Sequence, residues 1–189
     1  MNSLFEAASL AAPIWQEAVA HLAWTHLVVA AAYAGAAWLC LLNRHLDRQT
    51  QQGLAPWTAA TLILVLLAFN TVLCGDVFVT DWLREMARLN GWYAQRRPAQ
   101  YFAALCAVGV LFWRARRGSG AGPGVDVPAA RLSAGLAVLL GLLALRTVSA
   151  HGTDAVLTAR LLGISLGRWA EVGAIVWVAR SALQGLRRH

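Results

Sequence analysis

Four ionisable side chains lie inside or beside apolar runs in the second half of the sequence: Arg146, His151, Arg168 and Glu171. Asp76 ends an earlier apolar run and is the fifth member of this set. Arginines can hold a small anionic ligand or a lipid headgroup, a histidine titrates near neutral pH, and partial burial can raise the pKa of a glutamate so that it passes a proton. These five residues are therefore predicted to form a ligand or proton site on one side of a membrane.

A structural interpretation of the same residues is favoured over the ligand or proton site. Ionisable groups inside a membrane span cost about 2.5 to 3.5 kcal/mol each, so they usually find partners within the helix bundle. Arg168 and Glu171 are three positions apart and can pair on one helix. Arg146 can then take Asp76 or Glu171 from a neighbouring helix, which would fix the register of the helices without chemistry.

Histidines in membrane helices also raise the question of b-type haem. His26 and His151 are the pair expected to lie at one depth on different helices, where they could supply two axial ligands. The repeated mid-span histidines and glycine clearings of a haem bundle are missing from the sequence. No cofactor is therefore predicted, and haem b is kept as the least favoured alternative.

Metal-protease and nucleotide-binding motifs are missing from the sequence. It contains no HExxH, P-loop or dinucleotide fingerprint. Ser149, His151 and Asp154 stand within one short stretch, which cannot produce the converging geometry of a catalytic triad. The three cysteines are scattered, which predicts packing residues and no metal site. An enzyme is not the favoured interpretation.

The elements that must position these residues are membrane helices. Of the 189 residues, 59% are hydrophobic and only 13% are charged, with a mean hydropathy of +0.54. A soluble domain has about a quarter of its residues charged, so this balance indicates a membrane protein. The formal charge of +7 comes from arginines that stand mostly in short loops, so no nucleic acid is predicted as a partner.

An all-α, polytopic membrane bundle of about five transmembrane helices is the predicted fold, in a single domain over residues 1–189. A span needs about 20 apolar residues. Five runs meet or approach this length: residues 21–42, 57–78, 99–113, 132–150 and 162–178. Residues 1–20 are predicted to be an outer interfacial segment, and the Gly-rich residues 118–128 a flexible inner linker.

A short amphipathic surface helix is predicted between the second and third spans, in "DWLREMARLNGWY". Trp82, Met86 and Leu89 recur at helical spacing with charged residues on the other side, and Asn90-Gly91 predicts the end of the helix. Such a helix lies in the plane of the membrane surface.

Arginine counts predict that the amino terminus is outside and the carboxyl terminus inside. With this orientation nine loop arginines lie inside: Arg44, Arg48, Arg114, Arg116, Arg117, Arg131, Arg180, Arg187 and Arg188. Five lie outside: Arg84, Arg88, Arg96, Arg97 and Arg160. All sixteen basic residues are arginine, and alanine is abundant, which is typical of a GC-rich bacterium. The predicted location is a bacterial inner membrane.

Two of the outer arginines stand beside an aromatic pair. Trp92, Tyr93, Arg96 and Arg97 combine flat apolar rings with guanidiniums that bind phosphates and carboxylates in bidentate fashion. These residue types are enriched where proteins bind one another. They are predicted to contact a lipid or a partner protein.

The expected function is that of a non-enzymatic integral inner-membrane protein, an accessory or interaction subunit with its contact surface on the outer face. Membrane lipids and another membrane protein are the expected partners. A small transporter or proton-handling protein that uses the charged cluster of the fourth and fifth spans is one alternative, and a b-type haem electron carrier is another.

Overall fold

A computed structural model describes residues 2–50, 55–93, 109, 127–148, 159–161 and 164–188. Across these ranges the chain forms six helices: α1 (Asn2–Ala20), α2 (Trp24–Thr50), α3 (Ala55–Val72), α4 (Gly75–Leu89), α5 (Val127–Val148) and α6 (Leu166–Leu186). Two short strands, β1 (Arg160–Leu161) and β2 (Ile164–Ser165), pair antiparallel immediately before α6. The predicted all-helical class is confirmed, apart from this small hairpin.

Four of the helices, α2, α3, α5 and α6, form a bundle around one hydrophobic core. The buried stripe of α2 includes Val29, Tyr33, Ala36 and Cys40, which recur every three or four residues as helical packing requires. The other helices contribute core residues at the same spacing, among them Leu64 of α3, Leu132 and Leu139 of α5, and Val178 and Ala182 of α6.

The remaining two helices pack on each other beside the bundle and form the α1–α4 layer. Ala7 and Ala11 of α1 and Ala87 of α4 are fully buried, so small side chains let the two helices approach closely. Trp15 and Phe78 meet edge to face with ring centroids 5.7 Å apart. This layer contains both the predicted outer interfacial segment and the predicted amphipathic helix.

The prediction of one continuous second span over residues 57–78 is wrong. Helix α3 ends at Val72, and the chain turns through Cys74, which has left-handed backbone angles (φ 48°, ψ 41°). A Cβ at Gly75 would lie 2.5 Å from Oδ1 of Asn70, so a larger residue at this turn would require the Asn70 side chain to move. Helix α4 then starts at Gly75 and departs at 75° from the direction of α3.

The described helices support fewer spans than the five that were predicted. Two are long and apolar enough to cross a membrane, Trp24–Leu46 and Pro128–Arg146, and the bent pair Pro56–Val72 with Gly75–Leu89 makes three if it counts as one broken span. The third predicted run, residues 99–113, lies outside the described residues apart from Gly109. The fifth predicted run corresponds to α6, whose 21 residues include three charged side chains, Arg168, Glu171 and Arg180.

The outer surfaces of the bundle are apolar, as expected of helices in contact with lipid. Each of the four helices exposes large hydrophobic side chains, for example Leu27 and Trp38 of α2, Leu62, Leu66 and Phe69 of α3, Leu140 of α5, and Val176 and Trp177 of α6. A monomeric protein in water rarely exposes so extensive an apolar surface. This surface and the candidate spans are compatible with a membrane protein.

Several predicted boundaries shift in the structure. The amphipathic helix is longer than "DWLREMARL" because it begins at Gly75, and it ends as predicted at Asn90, followed by Gly91 at φ 72°. The predicted span 132–150 begins earlier, at Val127, so the last two residues of the predicted 118–128 linker are helical. The span predicted at 162–178 begins later, at Leu166, and runs on to Leu186.

The contact of α2, α3 and α6 around Gly185 generates the first testable prediction. A Cβ at Gly185 would collide with Oδ1 of Asn43 and lie 3.0 Å from the ring of Trp57. Asn43 is fully buried and is fixed by bonds from its Nδ2 to the carbonyls of Leu39 and Ala182. We expect Gly185→Ala to lower the free energy of unfolding by about 1 to 3 kcal/mol, because these neighbours cannot yield.

Gly173→Ala on the same helix is the matched control, since a Cβ there meets nothing within 4 Å. It should leave the free energy of unfolding unchanged or raise it by up to about 1 kcal/mol through helix propensity. Denaturant titration in detergent micelles, followed by circular dichroism, measures both variants. Equal stability of the two would contradict the packing described for Gly185.

Candidate functional site

Glu171 lies inside the bundle and is the centre of a polar cluster. Its carboxylate accepts three hydrogen bonds of 2.8 Å each, from the Tyr33 hydroxyl of α2, from Nη2 of Arg146 on α5, and from Nη1 of Arg168 on its own helix. Glu171 is 4% exposed and Tyr33 is 2% exposed. One carboxylate therefore joins three of the four bundle helices. We call these four residues the Glu171 cluster.

Local structure places each member of the cluster. Oγ of Ser165 accepts a bond from the backbone N–H of Arg168 and caps the start of α6, which sets the first turn that carries Arg168 and Glu171 on one face. Arg146 stands in the last turn of α5, where a cation is favoured by the helix dipole. Tyr33 belongs to the buried stripe of α2.

The hydrogen bonds of the cluster match an ionised glutamate. An ionised carboxylate only accepts, whereas the phenol and both guanidiniums can donate to it. The side chains of Arg146 and Arg168 are 22% and 16% exposed, so the two ion pairs are largely shielded from water. Two guanidiniums against one carboxylate give the cluster a formal charge of +1, which a further carboxylate nearby would neutralise.

A cleft of about 330 Å³ adjoins the cluster, between α4 and the end of α5. Arg146 lines it from α5, and five residues line it from one face of α4: Asp76, Val77, Thr80, Asp81 and Arg84. Arg84 forms an ion pair with the buried Asp81. Asp76 therefore lies at the same cleft as Arg146 and contributes the additional negative charge.

The structure brings together four of the five residues predicted for the ligand or proton site. Glu171 forms ion pairs with both Arg168 and Arg146, so the expected pairing on α6 is confirmed. Of its two predicted acceptors, Asp76 and Glu171, Arg146 pairs with Glu171. In the described part of the chain no ion pair links Arg146 to Asp76, which instead shares the cleft with it. His151 lies outside the described residues. Binding of a ligand or proton at this place stays a prediction.

Sequence reasoning missed Tyr33, Thr80, Asp81 and Arg84 as members of the site. The signal for Tyr33 was available, because its hydroxyl stands in the middle of an apolar run and a buried hydroxyl needs a hydrogen-bond partner. Arg84 was expected on the charged side of a surface helix, and Asp81 had no expected role in the site. The structure turns that side toward α5, and 7% of Asp81 is exposed.

The residues predicted as haem ligands are only half described. His26 lies in the first turn of α2, and its Nδ1 is buried with no hydrogen-bond partner among the described residues. Its proposed partner His151 lies outside them. Within the described ranges no three histidine, cysteine or acidic side chains are grouped as a metal site. The haem pair is therefore still a prediction.

The predicted lipid or partner contact is also seen in part. Trp92 follows the end of α4 and is 39% exposed, and the guanidinium of Arg88 lies 5.3 Å from the ring centroid of Tyr93. This distance is typical of a cation–π contact. Arg96 and Arg97 lie outside the described residues.

Comparison of the chain with protein-family models, with curated proteins and with solved structures finds no match. Functional inference therefore depends on the chain's own residues. The strongest observation is the Glu171 cluster, because its bonds join α2, α5 and α6 in an apolar interior.

The cluster makes a direct prediction about stability. Glu171→Gln removes the charge that two guanidiniums share inside the bundle, and breaking a buried ion pair typically costs about 3 to 5 kcal/mol. Tyr33→Phe removes one donor but leaves the carboxylate two others, so we expect a smaller loss of about 1.5 to 3 kcal/mol. Denaturant titration in mixed micelles measures the free energy of unfolding of both variants.

Glu85→Gln is the matched control for the loss of a glutamate charge. Glu85 pairs with Arg88 on α4, and the pair is open to water on one side, since the side chain of Arg88 is 53% exposed and that of Glu85 is 17% exposed. A surface ion pair contributes about 0 to 1 kcal/mol. If Glu171→Gln proved no more destabilising than Glu85→Gln, the Glu171 cluster would not hold the bundle together.

Proposed function

We propose that the chain is a non-enzymatic, multi-pass protein of a bacterial inner membrane, an accessory or interaction subunit whose contact surface lies on the outer face. The observation that carries this proposal is that the buried polar groups bind one another across helices. Tyr33, Arg146 and Arg168 all donate to Glu171, so the charges inside the bundle serve to join helices. A scaffold for a partner needs such a fixed interior and no reacting group.

The topology proposed for this subunit keeps five spans, with the amino terminus outside and the carboxyl terminus inside. Helices α2, α3, α5 and α6 are four of them, and residues 99–113 are the fifth. At 1.5 Å per residue, α5 and α6 are about 30 Å long or slightly more, which matches the hydrocarbon core of a bilayer. Glu171 and Arg146 then lie near the outer ends of their helices, where charge costs less than at the centre.

The bend after α3 supports a contact surface at the outer end of the bundle. If α3 crosses the membrane, a helix at 75° to it runs almost parallel to the membrane plane. Helix α4 and the helix α1 packed on it then form an outer layer over the span ends. This layer exposes Phe5, Ile14, Leu83, Leu89 and Trp92, which gives a partner protein apolar side chains to bury.

A transport or proton-handling function is the second candidate, and one observation favours it. Arg146 both donates to Glu171 and lines the cleft beside α4, so the cluster reaches a cavity where a small ligand or water can enter. Alternating access would require Arg146 to exchange Glu171 for another acceptor, and Asp76 lines the same cleft. The two candidates separate because a scaffold keeps its partner when transport is absent.

The topology predicts the behaviour of reporter fusions. Alkaline phosphatase fused after Tyr93 should be active, because the end of α4 is placed outside, and green fluorescent protein fused after His189 should fluoresce inside the cell. Enzyme activity and fluorescence per fusion protein are the measurements. An active phosphatase after His189 would contradict the topology, and would mean that residues 99–113 do not cross.

The contact surface predicts where a partner can be captured. A photoreactive phenylalanine analogue at Leu89 or at Trp92 should give one protein adduct of the same mass from both positions in intact cells. The same analogue at Phe69, which is 62% exposed on α3, is the control and should react with lipid alone. Peptide mass spectrometry identifies the adduct. Lipid adducts at all three positions would contradict a partner on the outer layer.

A further inference from the structure

The cleft between α4 and α5 has walls of both charge signs. Two carboxylates, Asp76 and Asp81, and two guanidiniums, Arg84 and Arg146, line it. Behind Arg146, the pair of Glu171 and Arg168 adds one charge of each sign. The formal charges therefore cancel. A ligand with a net charge would leave an excess charge in a partly buried place, whereas a neutral ligand with separated charges would not.

The opposite ends of such a ligand have partners on α4 and at the end of α5. The Asp76 carboxylate makes no ion pair within the described residues, so it can accept from an ammonium group. Arg84 and Arg146 each use one nitrogen for a carboxylate of the protein, and a guanidinium has five N–H donors. Two guanidiniums from different helices can contact different oxygens of one phosphate.

We propose that the cleft between α4 and α5 binds an ethanolamine phosphodiester, with its ammonium on Asp76 and its phosphate on Arg84 and Arg146. Thr80 lies one turn after Asp76 and donates to the Asp76 carbonyl at 2.7 Å, which leaves its oxygen lone pairs for the ammonium. The volume of about 330 Å³ is at the small end of ligand pockets, as a headgroup requires.

This chemistry has two sources, a phospholipid headgroup and a free glycerophosphodiester. Both carry the same ammonium and the same phosphate. The ligand site needs only the folded cleft, so it does not depend on a partner protein, and a failed photocrosslink at Leu89 would leave it standing. The proposal also names the chemical class of the ligand for the site that the sequence predicted at Arg146 and Asp76.

Calorimetric titration of the purified protein in a zwitterion-free detergent tests the ligand chemistry. Glycerophosphoethanolamine should bind about tenfold more tightly than glycerophosphoglycerol, which lacks the ammonium, because a charge-assisted hydrogen bond to Asp76 is lost. Glycerophosphocholine should also bind more weakly, since its nitrogen has no N–H to donate. Equal affinity for the three compounds, or no binding of glycerophosphoethanolamine, would overturn the proposal.

Two variants of α4 locate the site. Asp76→Asn should weaken glycerophosphoethanolamine about tenfold and remove its preference over glycerophosphoglycerol. Glu85→Gln removes a glutamate charge from the same helix outside the cleft, and should leave the affinity unchanged. Equal weakening in both variants would overturn the assignment to the cleft. If Asp76→Asn did not fold, the comparison of the three compounds on the natural chain would still decide.

Native mass spectrometry separates the two sources. The protein is mixed with equal amounts of phosphatidylethanolamine and phosphatidylglycerol in mild detergent. Retention of phosphatidylethanolamine by the natural chain and by Glu85→Gln, but not by Asp76→Asn, supports a lipid headgroup. Binding of glycerophosphoethanolamine without retention of the lipid supports a free diester. Preferential retention of phosphatidylglycerol would overturn the charge argument.

Discussion

The carboxylate of Glu171 is the constraint on which the arrangement of the bundle depends. A charge in an apolar interior is costly unless every partner is in place, and here the partners come from α2, α5 and α6. A rotation or shift of α5 or α6 would separate Arg146 from Glu171, and one of α2 would leave the buried hydroxyl of Tyr33 without its acceptor. Apolar packing alone is far less selective, because leucine and alanine stripes fit together at several offsets. The cluster therefore selects one register.

The turn at Cys74 determines what is built at the end of this bundle. Had α3 continued straight, Asp76, Asp81 and Arg84 would have extended along the bundle axis. Because the chain turns by 75° instead, one face of α4 comes to lie against the end of α5, and its charged residues meet Arg146. The other side of α4 is covered by α1 through alanines and aromatic rings. The cleft is thus a consequence of one break in one apolar run.

Structural and ligand-binding interpretations of the buried charges are compatible in this fold. Arg146 donates to Glu171 from Nη2 and also lines the cleft. A residue shared in this way is held rigid by the core, and a rigid donor binds a ligand at a low cost in entropy. The ion pairs of Glu171 and the cleft therefore share one arginine, which its bond to Glu171 holds in place.

The sequence by itself determined the class of the protein and its local features. Hydropathy indicated membrane helices, the spacing of Arg168 and Glu171 predicted their pair, and Asn90-Gly91 predicted the end of α4, since all of these depend on residues close along the chain. Only the tertiary structure decided the rest. The rotation and offset of the helices decide that Arg146 pairs with Glu171 and that Tyr33 donates to the same carboxylate. They also place Asp76 at the cleft that Arg146 lines. A uniformly apolar run does not show which side of its helix faces the bundle. The break at Cys74 depends on a left-handed backbone conformation, which the presence of a cysteine does not predict.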